Sequence, residues 1–286
     1  SDMIDSYIIG SVRTAIGKMG GSLKDVPPDF LAEKVIREVL NRYGPDVEVD
    51  EVILGQAKQS QDQPNIARLA ALRADLPVTV TGYTVHRQCG SGLQAINNAD
   101  MQIKLGLSDV VVAGGTESMS TAPFYIRNAR FGYKAGNGLL LDPNTESQPS
   151  SQPREIYGDL TMGLTAENLA EKYQISREEQ DEFAHRSQVL ANQAINEGKF
   201  KEEIVPFEVK ERKTSYVFEI DEHPKLTSPE KLATLPAVFK KGGTVTPGNA
   251  SGRNDGAAAI LMMNNEKMDF FGLKLKAKII AQVVSG

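Results

Sequence analysis

Apolar residues along the first third of the chain recur in two alternating rhythms. Tyr7-Ile-Ile-Gly10 and Val52-Ile-Leu54 are short apolar runs that read as buried strands. Between them Pro28 opens a stretch whose apolar positions, Leu31, Val35, Val39 and Tyr43, keep helical spacing until Gly44-Pro45 stops it. A second helix is expected from Ile66 to Leu72. Val78-Thr-Val-Thr-Gly-Tyr-Thr-Val85 is β-branched and bounded by Pro77, which predicts a strand. Helical spacing returns with Ala95, Ile96, Ala99, Ile103 and Leu107, with a stop at Gly106. Asp109-Val-Val-Val-Ala-Gly-Gly115 is then an apolar strand ending in a glycine pair. Alternation of this kind implies a parallel or mixed sheet covered by helices on both faces.

From about Thr121 the texture changes. Gly, Asn, Ser, Pro and Gln crowd Gly132 to Pro153 without periodicity, so a long loop region is expected there. Ser176-Arg-Glu-Glu179 has the form of a capping box opening a long helix through Phe183, Leu190 and Ile195, closed by Gly198. Asp255-Gly-Ala-Ala-Ala-Ile-Leu-Met-Met263 restores the α/β texture as a buried strand, preceded by an expected turn at Asn254-Asp255. Leu275 to Val284 predicts a last strand.

Composition narrows the class. In 286 residues no apolar run is long enough to span a bilayer, and a formal charge of −5 argues against nucleic acid as the main partner. The single cysteine rules out an internal disulfide framework and fits a reducing compartment. No secretory leader is read, Ser1-Asp2 ahead of Met3 being set aside, so a cytoplasmic protein is expected.

That cysteine carries the candidate chemistry. In Val85-His-Arg-Gln-Cys-Gly-Ser-Gly-Leu93, Cys89 stands where the predicted strand hands over to the predicted helix. The expectation is a thiol in the first helical turn, among unpaired backbone N–H groups at the positive end of the dipole, where the reactive thiolate is favoured. A buried cysteine used only for packing needs no cleared backbone around it, whereas Gly90 and Gly92 would let a carbonyl approach the sulfur. The three histidines, His86, His185 and His223, show no ligand spacing, and no metal site is expected. Strand alternation would put positions 86 and 89 on opposite sides, which favours a structural or subunit-contact role for His86; His185 is expected at the surface.

Four segments in this order resemble the thiolases: Arg87-Gln-Cys-Gly-Ser-Gly-Leu-Gln-Ala95, Ala113-Gly-Gly-Thr-Glu-Ser-Met-Ser120, Met162-Gly-Leu-Thr-Ala-Glu-Asn168 and Gly248-Asn-Ala-Ser-Gly-Arg-Asn-Asp-Gly-Ala-Ala-Ala259. The resemblance covers essentially the whole chain. It implies an α/β fold in which a mixed five-stranded sheet is covered by helices, the N-terminal half of an α–β–α–β–α arrangement with an inserted loop domain. The expected division is 3–120 with 247–273 as the α/β domain, 121–246 as the CoA-binding insertion, and 274–286 as the start of a truncated C-terminal domain. The implied activity is acyl transfer between CoA thioesters in fatty-acid metabolism. Cys89 would take the acyl group, and Claisen condensation or thiolysis of acetoacetyl-CoA or a longer 3-ketoacyl-CoA would follow.

For binding, the resemblance implies Lys225 near the adenine end of CoA, Ser251 and Pro247 along the pantetheine wall, and Met162 lining the acyl pocket. Glu117 is expected to be a structural carboxylate and His223 a structural loop residue. CoA thioester is substrate and no cofactor is expected; a homo-oligomer is. The family's second-half groups, a histidine in Gly-His-Pro, a second cysteine and an asparagine in an Asn-Glu-Ala-Phe-type motif, are not in this sequence. The chain is therefore expected to be inactive alone and to need the missing C-terminal domain. A catalytically silent CoA-binding or assembly fragment, or a condensing enzyme of fatty-acid or polyketide type, stand as alternatives.

Overall fold

A computed structural model describes residues 4–286, so Met3, where the first expected domain begins, lies outside the described residues. In chain order the elements are β1 (Ser6–Thr14), β2 (Gly17–Lys18), α1 (Pro28–Tyr43), β3 (Glu51–Gly55), α2 (Ile66–Arg73), β4 (Thr81–Val85), α3 (Ser91–Lys104) and β5 (Val110–Ser118). There follow α4 (Pro143–Glu146), α5 (Arg154–Tyr157), α6 (Met162–Lys172), α7 (Arg177–Asn196), β6 (Ile204–Val205), β7 (Phe207–Lys210) and β8 (Ser215–Phe218). The chain closes with α8 (Pro229–Thr234), β9 (Asn254–Asn264), α9 (Asn265–Phe270) and β10 (Ala277–Lys278). Two compact units result: one from residues up to Thr121, Phe200–Asp221 and Asn254–Gly286, the other from Ala122–Lys199 and Glu222–Arg253.

The first unit holds a mixed α/β sheet whose five long strands lie in the order β1-β9-β5-β3-β4. β3 pairs in parallel with both β4 and β5, and β9 runs antiparallel between β5 and β1. The alternation within β3 shows how the sequence builds the layers. Val52 and Leu54 pack into a core with Leu31, Val35 and Val39 of α1 and Ala67 and Ala70 of α2. Ile53 points the other way, into a smaller cluster with Ala95, Ala99 and Ile103 of α3. Each such side chain, fully withdrawn from water, contributes roughly 1.5–3 kcal/mol.

Several expectations need correction. The strand predicted from Val78 begins only at Thr81, because Val80 N–H bonds the Pro77 carbonyl in a turn. Leu107 lies beyond the end of α3 and is 73% exposed, so the apolar face stops at Ile103. Of Leu275–Val284 only Ala277–Lys278 forms a strand, paired antiparallel with β1. Asn254-Asp255 is not a turn but the start of β9, with Asp255 buried and accepting from the Ser120 N–H (3.0 Å) and hydroxyl (2.5 Å). The segment 200–221, inside the expected insertion, packs with the sheet instead. There β6 lies beside β1, β7 and β8 form a hairpin, and Arg13 clasps Asp221 through two bonds of 2.8 and 2.9 Å.

The second unit is helical. The capping box on α7 forms as predicted, Ser176 accepting from Glu179 N–H and the Glu179 side chain from Ser176 N–H. The stretch 132–153 holds α4 and a 3₁₀ turn at Pro149–Ser151 rather than continuous loop. Among the described residues no helix is long and apolar enough to cross a membrane.

Candidate active site

Backbone geometry prepares the position of Cys89. β4 stops at Val85, and Gln88 adopts φ +47°, the left-handed region that costs a residue with a side chain about 1–2 kcal/mol. Ser91 holds that turn closed. Its hydroxyl accepts from the Arg87 N–H (2.8 Å) and donates to the Gln88 carbonyl (2.5 Å), while its own N–H bonds the same carbonyl at 3.1 Å. Arg87 folds away onto the helix, donating to Gln94 at 2.6 Å.

Cys89 thus sits not in the first turn of α3 but just before its N-cap, Gly90, and is exposed. Because the strand has ended and a turn intervenes, the alternation argument for His86 does not apply; His86 is exposed.

The glycines around this turn are required by close backbone approach. A Cβ on Gly55, at the end of β3, would lie 2.3 Å from the Ser91 carbonyl carbon. One on Gly115 would meet the Gly55 carbonyl at 3.2 Å and Gly92 Cα at 3.4 Å. The start of α3 therefore rests directly on the carboxyl ends of β3 and β5, which brings its positive pole under the thiol. Sequence reasoning pointed to Gly90 and Gly92, where an added Cβ would meet nothing closer than 3.4 Å, and missed Gly55, Gln88 and the hydroxyl of Ser91. The serine between two glycines was the available signal.

Glu117 lies at the end of β5 and is bound by backbone. Its carboxylate accepts from Ala57 N–H (2.8 Å) and Lys58 N–H (3.1 Å). Burial pushes this carboxyl above the usual carboxylate range, opposed by those two N–H groups and by the charges of Lys58 and His86. Its partners make it a brace for the loop after β3.

The other four candidates lie in the second unit. Met162 opens α6, its N–H on Gln148 (2.8 Å) and its side chain 65% exposed. Pro247 occupies the second position of a turn closed by Asn249 N–H on the Thr246 carbonyl (3.2 Å), where its fixed φ fits and no N–H is needed. Ser251 is exposed just beyond that turn. Lys225 is exposed, its N–H anchored on Gln188 at 2.9 Å.

Two buried carboxylates that sequence reasoning missed fix this wall. Glu167 accepts from Thr244 and Val245 N–H (2.8 and 2.6 Å), and Asp181 accepts from Asn249 at 3.0 Å. His185 is half-buried rather than at the surface, bonding the Thr227 carbonyl at 3.0 Å. Among the described residues no three His, Cys, Asp or Glu side chains are grouped to hold a metal.

An exposed cysteine on a strained strand-to-helix turn, over the carboxyl ends of parallel strands, marks an α/β protein in which Cys89 is the candidate nucleophile. The family described as "Thiolase, N-terminal domain" matches residues 6–266, and the chain belongs to the thiolase family. It is 44% identical over 282 residues to the acetyl-CoA acetyltransferase of Syntrophomonas wolfei, covering 98% of this chain and 70% of that protein. A probable acetyl-CoA acyltransferase of Staphylococcus epidermidis is 46% identical over 266 residues, with 92% and 66% covered. Among solved structures, the acetyl-CoA acetyltransferase of Bacillus anthracis superposes with TM-score 0.90 at 48% identity, covering 96% of this chain and 68% of that one. Human mitochondrial 3-ketoacyl-CoA thiolase gives 0.89 at 38% identity, with 96% and 69% covered.

Proposed function

We propose that this chain accepts an acyl group from acyl-CoA onto Cys89, the first half-reaction of acetyl-CoA acetyl transfer. The exposed thiol on its glycine-cleared turn is the observation that carries this, and the names of the relatives set the substrate class. The thiol gives its proton to a base, the thiolate attacks the thioester carbonyl, and CoA leaves as its thiolate. Lys225, Ser251, Pro247 and Met162 are the residues proposed to receive CoA and its acyl chain.

Condensation of acetoacetyl-CoA or a longer 3-ketoacyl-CoA, or its thiolysis, needs a further base for the α-proton and donors for the enolate. With one cysteine and three histidines, none in a Gly-His-Pro setting, this chain offers no second thiol of its own, so it is proposed to stop at the acyl-enzyme. A homo-oligomer is also proposed, since among the described residues β4 pairs only with β3 and leaves one edge of the sheet open.

The test is incubation of the pure chain with acetyl-CoA, followed by peptide mass spectrometry. One acetyl group on the Cys89 peptide, absent from Cys89→Ala, is expected, together with no release of acetoacetyl-CoA. Acetyl-CoA that binds without labelling the sulfur would favour a silent binding fragment. Steady thiolase turnover would overturn the proposal that the chain stops half-way.

A further inference from the structure

Two loops of the second unit carry the residues proposed to bind CoA, and histidines hold both. The segment after Glu222 passes His223, Lys225 and Thr227 before Ser228 caps α8. It is tied to α7 at two points: Lys225 N–H bonds Gln188 at 2.9 Å, and His185 Nδ1 lies 3.0 Å from the Thr227 carbonyl. A carbonyl only accepts, so Nδ1 carries the proton and donates. At the other end of the segment the His223 ring abuts Gly252 through its Cε1 edge. A Cβ there would fall 2.0 Å from His223 Cε1 and 2.8 Å from each ring nitrogen. Gly252 directly follows Ser251, in a loop already fixed upstream by Asn249 on Asp181 and the Thr244 carbonyl (both 3.0 Å).

The geometry points to His223 and His185 as positioning residues for CoA: His223 joins the Lys225 loop to the Ser251 loop, and His185 holds the Lys225 loop against α7. This rests on the reading of Lys225 and Ser251 as CoA-binding residues. The two histidines then have separable effects. The bond of His185 goes to the loop assigned to the nucleotide end, whereas His223 belongs to that loop and abuts the one assigned to the pantetheine arm.

The experiment measures the rate of Cys89 acetylation against donor concentration, with acetyl-CoA and with S-acetylpantetheine, which lacks the nucleotide. Removing one hydrogen bond, or one ring packed on backbone, should raise the half-saturating concentration about three- to tenfold. His185→Ala should do so with acetyl-CoA only; His223→Ala should do so with both donors. Limiting rates should stay within about twofold of the parent, because neither ring is placed in the chemistry. His185→Gln, which keeps a donor for Thr227, and His223→Phe, which keeps an aromatic ring edge against Gly252, should restore most of the affinity.

Unchanged half-saturation in both alanine variants would overturn the inference, as would equal weakening with both donors from His185→Ala. If an alanine variant fails to fold, the same donor comparison on His223→Gln or on His185→Phe, which removes the donor but fills the space, decides in its place. A parent chain that is never acetylated overturns the reading beneath it, a result distinct from variants that match an active parent.

Discussion

At their carboxyl ends β3 and β5 meet α3 through Gly55 and Gly115 and lie beneath the turn that presents Cys89; at their amino ends they start beside Asp50, Glu51 and Asp109, around a cavity of about 310 Å³. The hollow is at the end away from Cys89. There Asp50 accepts from Asp109 and Val110 N–H (both 2.9 Å), Gln102 donates to Ser108 at 3.2 Å, and the Thr81 hydroxyl is on Glu51. At the other end backbone approaches backbone so closely at Gly55 and Gly115 that side chains are excluded there, and the turn above carries Cys89 exposed. Empty volume and reactive placement thus have different physical origins in one sheet.

The sharpest way to break this contrast is to crowd each end in turn. Gly55→Val would drive a side chain into the Ser91 backbone, 2.3 Å from the position of its Cβ. A loss of about 3 kcal/mol in denaturant unfolding is expected, with alkylation of Cys89 by iodoacetamide slowed about tenfold or more. Gly106→Ala, at φ +75° beyond α3, should cost about 1–2 kcal/mol yet leave alkylation unchanged. Equal effects on alkylation from both would refute the distinction.

Next in size is the clasp that braces the carboxyl end. Arg13→Met would leave the Asp221 carboxylate with the Ile16 N–H alone, at 2.7 Å. A loss of about 2–3 kcal/mol at neutral pH is expected from the stranded charge. In the parent, burial acts to raise the Asp221 carboxyl, but the bonds from Arg13 and Ile16 outweigh it and hold the group below its usual range. Its stabilisation is therefore complete above the unfolded carboxylate value of about 3.9 and is lost as pH falls through the lower folded value. Denaturant midpoints taken from pH 7 down to about pH 2 should show that acid limb in the parent and a shallower one in Arg13→Met.

These two ends were not equally legible in the sequence. Periodicity gave α1, α3 and β5 because Leu31, Val35, Ile103 and Val111 repeat at the spacing their burial demands. The motif around Cys89 pointed to the reactive end through residue types alone. What escaped was long-range. Gly55 matters because Ser91, far along the chain, lands on it, and the 200–221 segment joins the sheet through β6 beside β1, through Ile204, Val205 and Phe218 in the core, and through the Arg13–Asp221 clasp. Gln88 carries no marker of a left-handed turn, since Gly or Asn is the usual one. The capping box at Ser176 was readable because both partners lie within one turn; Glu167 was not, because its partners are Thr244 and Val245.

A smaller effect is expected from Glu117, the brace for the loop after β3. Burial favours the protonated Glu117 in the fold, so its contribution is present below the unfolded carboxylate value and is lost as pH rises through the raised folded value. Glu117→Gln keeps an oxygen for the Ala57 and Lys58 N–H groups and removes the buried charge. Stability should rise by about 1 kcal/mol at pH 7 and stay unchanged near pH 4. A loss at pH 7 would mean that the ionised carboxylate, with Lys58 and His86 beside it, stabilises this end.

The mildest change is the one that asks whether the cavity end communicates with the thiol at all. Glu51 is raised first by burial and then by repulsion from Asp50, so it too disfavours the fold as pH climbs through its folded value. Glu51→Gln removes both effects while leaving an oxygen for Thr81, and a gain of about 0.5 kcal/mol at pH 7 is expected. β3 and α3 both run between the two ends, so either element offers a route by which a change at the cavity would reach the turn. If the two ends are independent, the alkylation rate of Cys89 in Glu51→Gln matches the parent across pH. A shifted rate with unchanged fold would instead make α3 a lever, and the separation of hollow from nucleophile would then be a coupling.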